Sequence, residues 1–164
     1  MKAAFQSALT ASLLLATAAY AQTAATTFQV TATVSSACVI TATNHDFGVY
    51  SPSSPVDNIN GNNILTATCT LAVPYSIGLD AGVGTAATVA SRKMTRTGGT
   101  EMLNYSLYQT ADRLVILGNT LAIDVITGLG TGLAIAHTVF GKIAASQNVP
   151  AGNYADTVTA TITF

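Results

Sequence analysis

Tyr154-Ala155-Asp156-Thr157-Val158-Thr159-Ala160-Thr161-Ile162-Thr163-Phe164 alternates in character from one residue to the next. Tyr154, Asp156, Val158, Ala160, Ile162 and Phe164 fall on one face; Thr157, Thr159, Thr161 and Thr163 fall on the other. A period of two belongs to a strand with one face buried. Threonine suits such a strand because its branched Cβ packs well on a pleated surface. Working outward, the same rhythm returns in residues 27–34, where Phe28, Val30, Ala32 and Val34 share a face, and in 64–71, 75–79, 103–108 and 134–143. Between these runs lie turn-formers: Pro52, Pro55 and Gly61; Gly98-Gly99; Gly118-Asn119; Gly128, Gly130 and Gly132; Pro150 to Asn153. Many short strands separated by Gly and Pro predict an all-β sandwich or barrel. No segment after the leader reads as a helix.

Smaller expectations go with this. Residues 92–96 read as an edge strand whose charges block sideways pairing. Residues 113–117 and 121–126 read as strands flanking a turn, residues 128–132 as a flexible link, and 154–164 as one unbroken strand.

The composition narrows the function. Of 164 residues only 8% are charged, against roughly 25% in ordinary soluble domains. Thr, Ser and Asn supply the polar surface instead, which suits an extracellular β protein whose outside meets other protein. The formal net charge is −1, so no basic surface is available to neutralise phosphates and nucleic acid is not an expected partner.

Residues 1–21 read as a secretory signal peptide: Met1-Lys2 carries the positive charge, residues 9–19 are apolar around Leu13-Leu14-Leu15, and Ala19-Tyr20-Ala21 forms a cleavage site before Gln22. The alternative, a retained amphipathic or anchoring helix, meets an apolar run too short to span a bilayer. The expected route is therefore export. Two cysteines remain, Cys38 and Cys69. In an oxidising compartment an even pair reads as a disulfide; two buried thiols, or a metal site lacking C-x-x-C spacing, are the alternatives.

Candidate reactive groups are weak. His45-Asp46 is a possible dyad, although such a pair before a turn more often only solvates it. Gly128-Leu129-Gly130-Thr131-Gly132 imitates a phosphate loop but is followed by a strand pattern, and a phosphate needs a helix N-terminus there. Asp57 to Asn62 resembles a calcium loop without the Glu that would complete it. The seven acids stand singly, with no pair set for glycoside chemistry. The expectation is no catalytic residue, no metal and no cofactor.

Taken in order, Phe47-Gly48-x-Tyr50, Ala67-x-Cys69, Tyr75-x-Ile77-x-Leu79-Asp80, Arg92-x-Met94, Leu103-x-Tyr105-x-Leu107-Tyr108, Val139-Phe140-Gly141-x-Ile143 and Gly152-x-Tyr154-x-Asp156-Thr157-Val158 resemble the spore coat protein U domain, the fold of archaic chaperone–usher pilins of the Csu type. Leu117-Gly118 stands where that family usually has Trp-Gly.

The resemblance implies an incomplete immunoglobulin-like β-sandwich, residues 36–164, completed by a strand from a neighbouring subunit. Residues 22–35 would be the donor segment, with Phe28, Val30, Ala32 and Val34 facing into the neighbour. The C-terminal strand, with Val158, Ala160, Ile162 and Phe164, would border the acceptor groove. Cys38–Cys69 would pin the first two strands. The implied partners are neighbouring pilin subunits in head-to-tail order, a periplasmic chaperone and an outer-membrane usher. The implied location is the periplasm, then a cell-surface pilus serving attachment and biofilm. The competing expectations are a secreted monomeric β-sandwich that binds a glycan or other surface ligand, and a secreted hydrolase.

Overall fold

The computed structural model describes residues 21–164, so the expected signal peptide, up to residue 20, lies outside the described residues. Residues 21–33 belong to a unit of their own and carry neither strand nor helix. Phe28 and Val30 in it are 86% and 82% exposed. The pattern that reads as a half-buried strand is therefore not a strand in a single copy. An apolar stripe has no stable strand conformation until an edge pairs with it.

The second unit, Val34–Phe164, is all-β and antiparallel, with no helix among the described residues. Its strands are β1 (Cys38–Ala42), β2 (Asn62–Cys69), β3 (Pro74–Leu79), β4 (Arg92–Arg96), β5 (Met102–Tyr108), β6 (Ile126–Leu129), β7 (Ala134–Lys142), β8 (Tyr154–Ala155) and β9 (Ala160–Thr163). One sheet has the order β1-β2-β7-β5-β4-β8 and the other β6-β3-β9. Leu65, Ala67, Ile77, Leu79, Leu103, Leu107, Leu117 and Val139 form the buried core with Tyr75 and Tyr105. Alternation selects them: β2 buries Asn63, Leu65, Ala67 and Cys69 in turn. Leu117, at the position where the family usually has Trp, is fully buried. Cys38 and Cys69 face each other across β1 and β2 and are joined by a disulfide.

Four sequence expectations change. Residues 92–96 are not an edge, because β4 lies between β5 and β8. Arg92 is fully buried, and its guanidinium donates to the carbonyls of Asp80, Val89, Leu79 and Leu117 at 2.8 to 3.1 Å. A buried charge is tolerable when its donors are all directed at acceptors.

Residues 113–117 and 121–124 fall outside the named strands, although Ile116 bridges Tyr108 and the Gln109 and Leu117 amides donate to the Val115 and Leu107 carbonyls. Arg113 sits at φ 57° and donates to Gly141, Ala111 and Ile59 carbonyls, while the Asp124 carboxylate accepts from the Thr120 amide at 2.6 Å. Arg113 thus ties neighbouring segments together and Asp124 fixes a turn, while the sheet pairing here is limited to a single bridge.

Gly128 is not in a flexible link but inside β6, directly opposite Tyr75. A Cβ there would run into the Tyr75 ring, which covers the glycine.

Residues 154–164 form two strands. β8 pairs with β4 in one sheet and β9 pairs with β3 in the other. Between them the Asp156 carboxylate accepts from the Val83 amide, and the Asp80 carboxylate accepts from the Thr159 amide. The residue faces still alternate across the break, with Tyr154, Asp156, Val158, Ala160 and Ile162 all half-buried.

Candidate docking groove

The two sheets do not close over the core. Two adjoining clefts, of about 650 and 630 Å³, share His45, Asp46, Phe47, Met94 and Tyr154 and so form one groove. One wall is the stretch 42–50 and the other is 153–158, with Pro150 and Ala160 also contributing. The floor is Leu65, Leu79, Leu103, Tyr105 and Leu107, all members of the central core. These floor side chains are themselves only 1 to 6% exposed, so the groove borders the core without laying it open to solvent.

Polar groups hold the walls in place. The Asn58 side-chain amide donates to the carbonyls of Phe47 and Val49, and the Tyr50 hydroxyl donates to Ala144 while accepting from the Gln147 amide. On the opposite wall the Tyr105 hydroxyl donates to the Asp156 carboxylate at 2.8 Å. Burial, with that carboxylate beside it, pushes the Tyr105 phenol far above its ordinary range, so it stays a donor.

His45 packs against Phe47 with ring centroids 4.3 Å apart and the rings tilted by 50°. Neither of its ring nitrogens has a hydrogen-bond partner, nor does the shielded Oδ1 of Asn63. Burial pushes the imidazole below its ordinary value, against an opposing pull from the nearby Asp46 charge.

The arrangement offers no catalytic set. Asp46 does not orient His45; its carboxylate accepts from the Gly48 amide two residues on. Asp57 accepts from the Ala145 amide and lies 3.7 Å from Lys142, so the calcium-like stretch holds a loop together. Among the described residues no group of three or more His, Cys, Asp or Glu side chains could hold a metal ion.

The sequence-derived border residues divide. Val158 and Ala160 line the groove. Ile162 pairs with Ile77 in β9 and packs on the core instead, while Phe164 follows the strand and is exposed. Val34 is exposed as well, as is Ala32. Phe47, Met94 and Tyr154 are groove residues that alternation alone did not separate from the core. Their signal lay in the quoted motifs around Phe47, Met94 and Tyr154, which all contribute to the groove lining.

The Spore Coat Protein U domain matches residues 24–161 of this chain. Protein U of Myxococcus xanthus is 37% identical over 166 residues, which cover 94% of this chain and 92% of that one. Among solved structures, the fold is similar to a chain in the crystal structure of the CsuC–CsuE chaperone–tip adhesion subunit pre-assembly complex from the archaic chaperone–usher Csu pili of Acinetobacter baumannii. The TM-score is 0.58 at 22% identity, covering 80% of this chain and 40% of that chain. This chain thus spans less than half of the solved one, and the likeness is one of fold. With a domain match that runs through both sheets and a relative aligned along nearly its whole length, the chain belongs to the Spore Coat Protein U domain family.

Proposed function

We propose that the protein is a structural subunit of a chaperone–usher pilus and polymerises by donor-strand exchange. Residues 22–35 of one copy form the donor segment, and its strand 27–34 occupies the groove of the next, with Phe28, Val30, Ala32 and Val34 turned toward the floor. A periplasmic chaperone holds the groove until an outer-membrane usher exchanges it for the neighbour's strand, and the product is a surface filament that supports attachment and biofilm. The role is mechanical, not catalytic.

The observation that carries this reading is the groove itself, an open cleft between the stretches 42–50 and 153–158 with core leucines at its base. Two features support it. The segment with the complementary apolar stripe is exposed in the single copy. The wall from Asn153 to Ala160 and the stripe 28–34 are also similar in length, about 26 and 23 Å when extended. Covering a sheet edge with a strand supplies backbone hydrogen bonds and fills alternate pockets. Burying Phe28, Val30 and Val34 adds about 1.5–3 kcal/mol each. Because the donor and the groove are different surfaces, the contact does not close on itself and builds a filament.

The test is a chain lacking residues 22–34, with a second version carrying residues 28–34 after Phe164 on a flexible linker. The grafted version is expected to be a stable monomer and the deleted one to be unstable without a partner. A deleted version as stable as the full chain, with no loss of assembly, would overturn the proposal and favour a self-contained binding module.

A further inference from the structure

Leu71, Leu129 and Leu133 are 57 to 73% exposed, yet they sit on a rigid support. The segments that carry them are interlocked by backbone hydrogen bonds: Ala72 donates to Gly130 at 2.8 Å, Gly130 to Val73 at 2.8 Å and Gly132 to Cys69 at 3.0 Å. Gly130 is close enough to the Thr70 carbonyl that a Cβ would not fit. Residues 68–73 and 127–133 contain no charged side chain. An uncharged, leucine-bearing end on a fixed frame is the composition of a protein contact.

We propose that this end is a second contact between successive copies, covered by the copy whose groove holds residues 28–34. The inference rests on the donor-strand reading and adds to it a surface outside the groove. Its geometry follows from chain length. The Ala37 amide donates to the Thr70 hydroxyl at 3.1 Å, and the Thr70 amide donates to the Ala37 carbonyl at 2.9 Å, so Ala37 is fixed beside Leu71. Only Ser35 and Ser36 separate it from Val34. Three residues of chain reach at most about 10 Å. A neighbour that buries Val34 must therefore bring its own body against this end of the molecule, whatever angle it adopts. The leucines lie where that body has to arrive.

The full chain has no free cysteine, so a thiol placed on this end reports alone. L129C is the probe and I123C the control: Ile123 is 78% exposed and precedes the Ile126 end of β6, which pairs with Ile77 while Leu129 pairs with Pro74 at the other end. Maleimide labelling is followed on multimers that survive detergent without heating, and on a monomer kept from assembling by V30D. The thiol of L129C is expected to label about tenfold or more slowly in multimers than in the monomer, with the control unchanged. Multimers in which both thiols label as fast as in the monomer would overturn this contact and leave strand exchange standing. Absence of multimers from the unmodified chain would overturn both.

Discussion

Tyr105, on the floor of the groove, donates its hydroxyl proton to Asp156 on the wall, across 2.8 Å. The bond ties β5 to the point where the C-terminal stretch leaves one sheet for the other. A hydrogen bond to a charged acceptor contributes about 1.5–3 kcal/mol. Y105F is expected to lower the urea midpoint of the full chain accordingly. D156A should cost more, because it also strips the Val83 amide of its acceptor. Equal, negligible shifts for both variants would count against the tie.

Arg92 is expected to be among the least replaceable residues. Its four carbonyl partners come from three separate stretches of chain, at Leu79 and Asp80, at Val89 and at Leu117. Losing the guanidinium leaves those acceptors buried and unpaired, a loss of more than about 3 kcal/mol. R92K keeps the charge but lacks the planar fork, so it should recover only part of the stability. Thermal unfolding of R92A, R92K and the unmodified chain checks the order.

Acid should destabilise the fold in two separate windows. Burial lowers the pKa of His45 and of His137 below 6.5. The unfolded chain therefore takes up these protons first, and the stability that belongs to the neutral rings is full above pH 6.5 and falls as pH drops through the folded values. Asp46 and Arg113 are the charged groups that act on His45 from nearby. Burial pushes the Asp80 carboxyl up, but the amides of Thr159 and Gly82 and the charge of Arg92 outweigh it and leave it below 3.8. Its contribution is present above that value and is lost below it. Urea midpoints from pH 8 to 3 should fall in both ranges, with H45Q flattening part of the upper one. An upper range unchanged by H45Q would mean that His45 does not sense the pH.

Reduction of the Cys38–Cys69 bond should be costly. The bridge spans 31 residues of sequence, which corresponds to about 3–4 kcal/mol of denatured-state entropy. Calorimetry of the full chain with and without reductant is expected to show a melting point lowered by several degrees, and C38A with C69A should reproduce the reduced value.

The strands legible in the sequence are those with one wet face. Residues 64–69, 103–108 and 134–142 alternate because every second side chain meets water or the core, and the structure has β2, β5 and β7 there. Three errors share a cause: the sheet position depended on a partner far away in sequence. Arg92 reads as a solvent guard until its acceptors surround it. Gly128 reads as a hinge until Tyr75 lies over it. The C-terminal run reads as one strand because alternation is blind to which sheet a residue pairs with. The groove was less legible still. Alternation put Val158 and Ala160 on the inward face and the resemblance put that strand beside a groove, but Met94 and Phe47 look like any other core side chain until the cleft they line is seen.

Because residues 154–164 belong to both sheets, the two sheets are not free to slide independently. A one-residue insertion within 156–159 would turn either the Tyr154 side or the Ile162 side outward, whichever end yielded. The same insertion at the exposed Pro55 or Val56 would change only a loop. The seam thus acts as a gauge for the spacing of the whole sandwich, and it lies along the opening that a partner's strand would have to fit.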